Sequence, residues 1–170
     1  MLAKEQMPKL RPLPVSKRGE RRRWEVLEDW TCDFLGRGFM YIIPAGFIFD
    51  GASIPRLFWN ILSPAGYLFM AGLIHDFAYK YRFLYTFSVI ESLDGGERRI
   101  IREWYSQKEA DQKFEALAEK ICMGAHFFTR TAFITLRLFG SKAWKEHRQV
   151  NAFCHLEPHG YLSFARSAAQ

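Results

Sequence analysis

From Leu68 to Tyr79 the chain reads Leu-Phe-Met-Ala-Gly-Leu-Ile-His-Asp-Phe-Ala-Tyr, an ionisable pair set inside an otherwise apolar run. A charge buried without a partner is strongly unfavourable. Any fold that buries this run must therefore bring polar groups to His75 and Asp76. Leu68, Ala71, Gly72, His75, Ala78 and Tyr79 recur at helical spacing and fall on one stripe. His75 and Tyr79, four positions apart, leave the same face. Asp76 leaves about 100° round the helix, toward a different neighbour.

A second helix supplies a partner. Ser106 is a cap, and Glu109 three residues later completes a capping box. Ala110, Phe114, Leu117, Ala118 and Ile121 form its apolar stripe, running to about Met123 before Gly124 stops it. Asp111 lies near its start. If the two helices pack antiparallel, Asp111 reaches His75. A carboxylate on one imidazole nitrogen fixes the tautomer and leaves the other nitrogen as a base. Asp76 then points elsewhere, where with Asp50 and backbone carbonyls near Gly51 it can hold a hard cation such as Ca²⁺. The same residues also read as packing: a satisfied core histidine, a turn at Asp50-Gly51, and a buried polar network tying sheet to helices. The residue pattern leaves both readings open.

Upstream the pattern is strand-like. Trp24–Leu27, Thr31–Leu35 and Phe39–Ile43 are aromatic and β-branched, punctuated by Glu28–Asp29 and Gly36–Gly38. Phe47–Asp50 follows the Pro44-Ala45-Gly46 turn as a further short strand. Pro64 suits the first turn of the His75 helix, with Ser63 as its cap. Glu91–Glu97, with Asp94-Gly95-Gly96, reads as a loop or hairpin tip, and Thr129–Lys145 as a third long helix. Strands followed by helices predict an α+β fold, with a small N-terminal antiparallel sheet followed by three main helices. The predicted organisation is a basic, proline-containing arm over 1–23 that holds at most one edge strand, a single domain over 24–146, and an irregular tail over 147–170.

Composition narrows the function classes. Aromatic residues are 16% and hydrophobic residues 49% of the 170, which excludes a disordered chain. Cys32, Cys122 and Cys154 are odd in number and widely spaced, so they form neither a disulfide framework nor a zinc-finger pattern. This usage, with no apolar signal core at the N-terminus, predicts a cytoplasmic protein. The candidate window Ala125–Gly140 is broken by Arg130 and Arg137, so no transmembrane segment is expected. The net charge of +6 is concentrated in Lys17, Arg18, Arg21, Arg22 and Arg23. No nucleic-acid-binding signature accompanies that run, and a solvated arm is its ordinary reading. Arg56, Arg82, Arg98, Arg99 and Arg102 add positive charge expected near the His75 site, again with a solvated face as the default.

Two resemblances arise at these residues. Pro44-Ala45-Gly46-Phe47-Ile48-Phe49-Asp50-Gly51-Ala52-Ser53-Ile54-Pro55-Arg56, Gly66, His75-Asp76, Tyr79, Glu109-Ala110-Asp111, Phe114, Arg137-Leu138-Phe139-Gly140 and Trp144 together resemble an uncharacterised family of bacteriophage and prophage proteins, domain of unknown function 1353. That resemblance spans about residues 24–145 and implies a phage or prophage origin, with no activity attached. Locally, Ala71–Tyr79 with Ala110-Asp111-Gln112-Lys113-Phe114 is similar to the active-site helices of secreted phospholipases A2. It implies His75 as general base, Asp76 as calcium ligand, and Tyr79 and Asp111 as the groups that hold His75. The glycine-rich calcium loop and the helix-stapling disulfides of that family are not recognisable here.

Two functions are therefore expected. The first is a metal-assisted hydrolase of a phospholipid or another ester, possessing a basic arm suited to an anionic surface. The second is a non-enzymatic phage protein, a virion or tail-assembly component or a binder of a host or defence protein, in which the His-Asp network is structural. The second reading adds virion association to the cytoplasmic location.

Overall fold

In a computed structural model, residues 7–15, 23–32, 41–50, 68–90, 97–121, 126–150 and 156–158 are described. Their elements run β1 (Leu10–Pro12), β2 (Trp24–Val26), β3 (Trp30–Cys32), β4 (Tyr41–Ile43), β5 (Ile48–Phe49), α1 (Leu68–Tyr81), β6 (Phe83–Ile90), β7 (Glu97–Trp104), α2 (Gln107–Ile121) and α3 (His126–Val150). The architecture is α+β. Among the described residues every strand pairing is antiparallel.

The described strands form two sheets rather than one, ordered β1-β2-β5 and β3-β4-β6-β7. The additional element is the long β6–β7 hairpin, inserted between α1 and α2. Only its tip is marked by turn residues in the sequence. Its body, Phe-Leu-Tyr-Thr-Phe-Ser-Val-Ile, is a β-branched and aromatic run that follows directly on a helix. The junction is Arg82, whose φ of 68° ends α1 in the left-handed region. Its amide donates to the carbonyl of Ala78 at 2.8 Å, and its carbonyl accepts from Tyr105 at 2.7 Å. These two bonds hold the chain reversal that launches β6.

Gly46 makes the other tight reversal, with φ of 80°. It lets the Pro44-Ala45-Gly46 turn close, with the Gly46 amide donating to the Val26 carbonyl at 2.7 Å and the Asp29 carboxylate accepting from Ala45 at 2.9 Å. The turn delivers Phe47 to the core and Asp50 to the end of β5.

α1 is the hub. It packs against β5, β6, α2 and α3. Phe69, Met70, Ala71, Leu73, Ile74, Phe77, Ala78 and Tyr79 are all buried, because a helix enclosed on every side is apolar all round. The capping box at the start of α2 forms as expected: Ser106 Oγ accepts from the Glu109 amide at 3.3 Å, and the Ser106 amide donates to Glu109 at 2.7 Å. These bonds hold the Glu109 carboxyl below the usual carboxylate range. α3 begins three residues earlier and ends five later than the sequence suggests. It runs unbroken through Gly140, since an isolated glycine weakens a helix by only about 1 kcal/mol. Among the described residues no helix is long and apolar enough to cross a membrane. Gly51, Ser53, Pro55, Arg56, Ser63, Pro64, Cys122, Gly124, Cys154, the loop before Glu97 and the basic residues before Arg23 lie outside the described residues.

Candidate functional site

α1 and α2 bring His75 and Asp111 together. His75 Nε2 is 3.1 Å from Asp111 Oδ1, and both side chains are buried. An ionised carboxylate has no proton to give, so Nε2 carries the hydrogen and donates it. The Tyr79 hydroxyl donates to the same Oδ1 at 2.6 Å and accepts from Gln107 Nε2 at 3.3 Å. Arg137, from α3, donates through Nη1 to Oδ2 at 2.9 Å. Thus both oxygens of Asp111, whose side chain has no solvent exposure, are engaged by three donors from two other helix segments.

The ionisation follows from these contacts. Burial alone would raise the Asp111 carboxyl, but bonds from His75, Tyr79 and Arg137 outweigh it and hold it below the ordinary carboxylate value. Burial alone would lower the His75 imidazole. The bond to Asp111 and the nearby Asp76 carboxylate reverse this and raise it. Tyr79 is raised by burial and then by its bond to the ionised Asp111, so it stays a neutral donor.

Rings pack the site tightly. The Tyr79 ring lies 4.1 Å from the His75 ring, centre to centre, Phe114 meets His75 edge-on at 5.4 Å, and Trp144 meets Tyr79 edge-on at 5.1 Å. Gly140 of α3 sits against the Tyr79 hydroxyl. A methyl group there would lie 2.5 Å from that oxygen.

Asp76 and Asp50 stand on the other side of His75. Asp76 Oδ1 is 3.8 Å from His75 Nδ1, too long for a hydrogen bond and short enough for charge to act. Asp76 is thus turned away from the α2 face but stays beside the imidazole. Asp50, at the exposed end of β5, lines the same cleft as His75, Asp76 and Tyr79. The cleft holds about 460 Å³ and lies between the β5 segment, α1 and α3. Phe47, Ile48, Phe49, Leu136 and Ala143 give it apolar walls, and Arg23, Lys80 and His147 add polar groups. Its volume is that of an ordinary small-molecule site.

Of the five residues singled out from the sequence, His75, Tyr79 and Asp111 form one bonded cluster, and Asp76 and Asp50 face the cleft beside it. Among the described residues, no three His, Cys, Asp or Glu side chains lie close enough to share a metal ion. Arg82 and Arg102 do not line the cleft. Arg102 is on β7, where it donates to Tyr85 Oη at 3.2 Å and stacks on Phe83. Among the described residues the cationic groups at the cleft are Arg23 and Lys80, because α1 carries Lys80 round to the β5 side while the hairpin points Arg102 away. Sequence reasoning assigned no role to Gln107, Arg137 or Gly140. The signal available was the i, i+3, i+7 spacing of Arg137, Gly140 and Trp144, which puts all three on one stripe of α3.

No curated protein and no solved structure matches the chain. A family model described as a protein of unknown function, DUF1353, matches residues 24–132. That match ends short of the α3 stripe, which the sequence resemblance had included. It contains Asp50 and both helices that carry His75, Asp76, Tyr79 and Asp111, and it covers well over half of the 170 residues, so the chain belongs to the DUF1353 family.

Proposed function

We propose that the cleft is a hydrolase site in which His75 is the general base. One observation carries this reading: His75 is held through Nε2 by Asp111, its Nδ1 lies 3.8 Å from Asp76, and His75, Asp76 and Asp50 line one cleft of ligand size. His75 would take a proton from water at Nδ1, and the hydroxyl so formed would attack an ester carbonyl. The ester C–O bond then breaks, and the proton passes from Nδ1 to the departing alkoxide. Asp111 stabilises the imidazolium that forms between these steps, and Tyr79 holds Asp111.

Asp76 and Asp50 are the residues that would hold a hard cation, Ca²⁺ first. Two carboxylates meet part of its preference for six to eight oxygens, with carbonyls and water left to complete the shell. Such an ion, when bound, polarises the oxygen of the bond under attack. The apolar walls beside the two acids favour an amphiphilic ester, and a phospholipid is the most concrete case. Release of fatty acid from mixed phospholipids with Ca²⁺ tests this, with His75→Ala as control.

A second reading is favoured by one feature, the complete burial of Asp111 among three donors. In that reading the chain is a phage or prophage protein without an activity, acting as a virion component or a binder of a host protein, and the network ties α1, α2 and α3 together.

A further inference from the structure

We propose that Arg137 is a positioning residue for His75, acting through Asp111. The proposal deepens the hydrolase reading by adding the element that fixes its base. Asp111 has two oxygens and three donors. Because Arg137 occupies Oδ2 at 2.9 Å, Oδ1 is the oxygen left for both His75 and Tyr79, which meet it at 3.1 and 2.6 Å. Without that hold, the carboxylate can turn about its Cβ–Cγ bond out of the orientation in which Oδ1 meets both donors. The Nε2–H···Oδ1 bond that keeps the imidazole proton on Nε2 is then lengthened and weakened.

The arrangement comes from one stripe of α3. Arg137 reaches Asp111, Gly140 leaves room for the Tyr79 hydroxyl, and Trp144 packs edge-on against the Tyr79 ring. A side chain larger than glycine at 140 would push α3 away and draw Arg137 off Asp111. α3 therefore grips the carboxylate and the tyrosine that hold the base, and Arg137 is its charged contact. The side chain of Arg137 is 38% exposed, so its removal leaves a gap that water enters rather than a dry cavity.

The test compares Arg137→Leu, Arg137→Gln and Arg137→Lys in the full chain. Nitrogen-15 NMR of the imidazole is recorded at alkaline pH, where the ring is neutral. His75→Gln identifies the His75 signals. In the wild type the proton sits on Nε2 and gives a downfield, slowly exchanging resonance. Arg137→Leu loses that resonance and gives mixed tautomers, Arg137→Gln weakens it, and Arg137→Lys retains it. If Arg137→Leu and Arg137→Gln keep the wild-type resonance and only lower the melting temperature, Arg137 is a structural tie and the proposal is overturned. Turnover provides a separate arm: where the wild type hydrolyses ester, Arg137→Leu lowers kcat about tenfold or more at unchanged KM. A wild type without turnover removes the hydrolase reading and leaves the NMR result standing.

Discussion

Gly140 and Tyr79 approach each other so closely that a methyl group on Gly140 would lie 2.5 Å from the tyrosine oxygen and 3.3 Å from Cζ. This contact joins α3 to the cluster around Asp111. Gly140→Ala should therefore cost about 1–3 kcal/mol through overpacking. Tyr79→Phe removes the oxygen that clashes, so Gly140→Ala should cost measurably less in a Tyr79→Phe background. Chemical denaturation of the four proteins in that cycle checks this. Strictly additive costs would mean that the helices meet elsewhere.

Asp111 is held by three donors from two helices. Asp111→Ala leaves His75 and Arg137 without their shared acceptor and should destabilise the protein by about 3 kcal/mol, the scale for removing one partner of a buried ion pair. His75→Gln keeps a donor near Asp111 and should cost less. Urea unfolding with both variants measures the difference.

The acid limb of stability follows from the same carboxyl. Its native value lies below the unfolded 3.8, so Asp111 stabilises the native state above that pH. This contribution is lost as pH falls from about 3.8 through the lowered native value. Asp111→Asn should be less stable than wild type at neutral pH, and the gap should narrow on acidification across that window. Thermal melts at a series of acidic pH values read this. A gap that widens toward low pH would contradict the assigned ionisation.

Much of this cluster was legible in the sequence because it depends on local periodicity. The 3.6-residue repeat places His75 and Tyr79 on one face, and the Ser106–Glu109 box fixes where α2 starts and so where Asp111 points. What was not legible depends on how helices sit against one another. Arg137 reads as an interruption in an apolar window until α3 is laid across α1 and α2. Lys80 and His147 share a cleft only because α3 passes beside the end of β5. The β6–β7 hairpin was visible at its tip, whereas its strands directly abut helices and carry no turn residues of their own. The left-handed Arg82 that makes the first junction has no sequence marker, since arginine does not favour that conformation.

Asp50 and Asp76 yield a prediction that does not require a substrate. An ion that binds the folded protein alone raises its melting temperature by mass action. Ca²⁺ should raise the melting temperature of the wild type, and less or not at all in Asp50→Asn and Asp76→Asn. Differential scanning calorimetry with Ca²⁺ and with chelator decides it. Equal shifts in all three proteins would place the ion elsewhere.

In the proposed site His75 is a base facing a ligand cleft and not solely a structural group. Fatty-acid release from mixed phospholipid vesicles in Ca²⁺, measured for wild type and His75→Ala alongside their melting curves, tests it most directly. His75→Ala should melt cooperatively and lose turnover by about two orders of magnitude or more. Equal turnover by the two proteins, or no turnover by the wild type, would overturn this assignment.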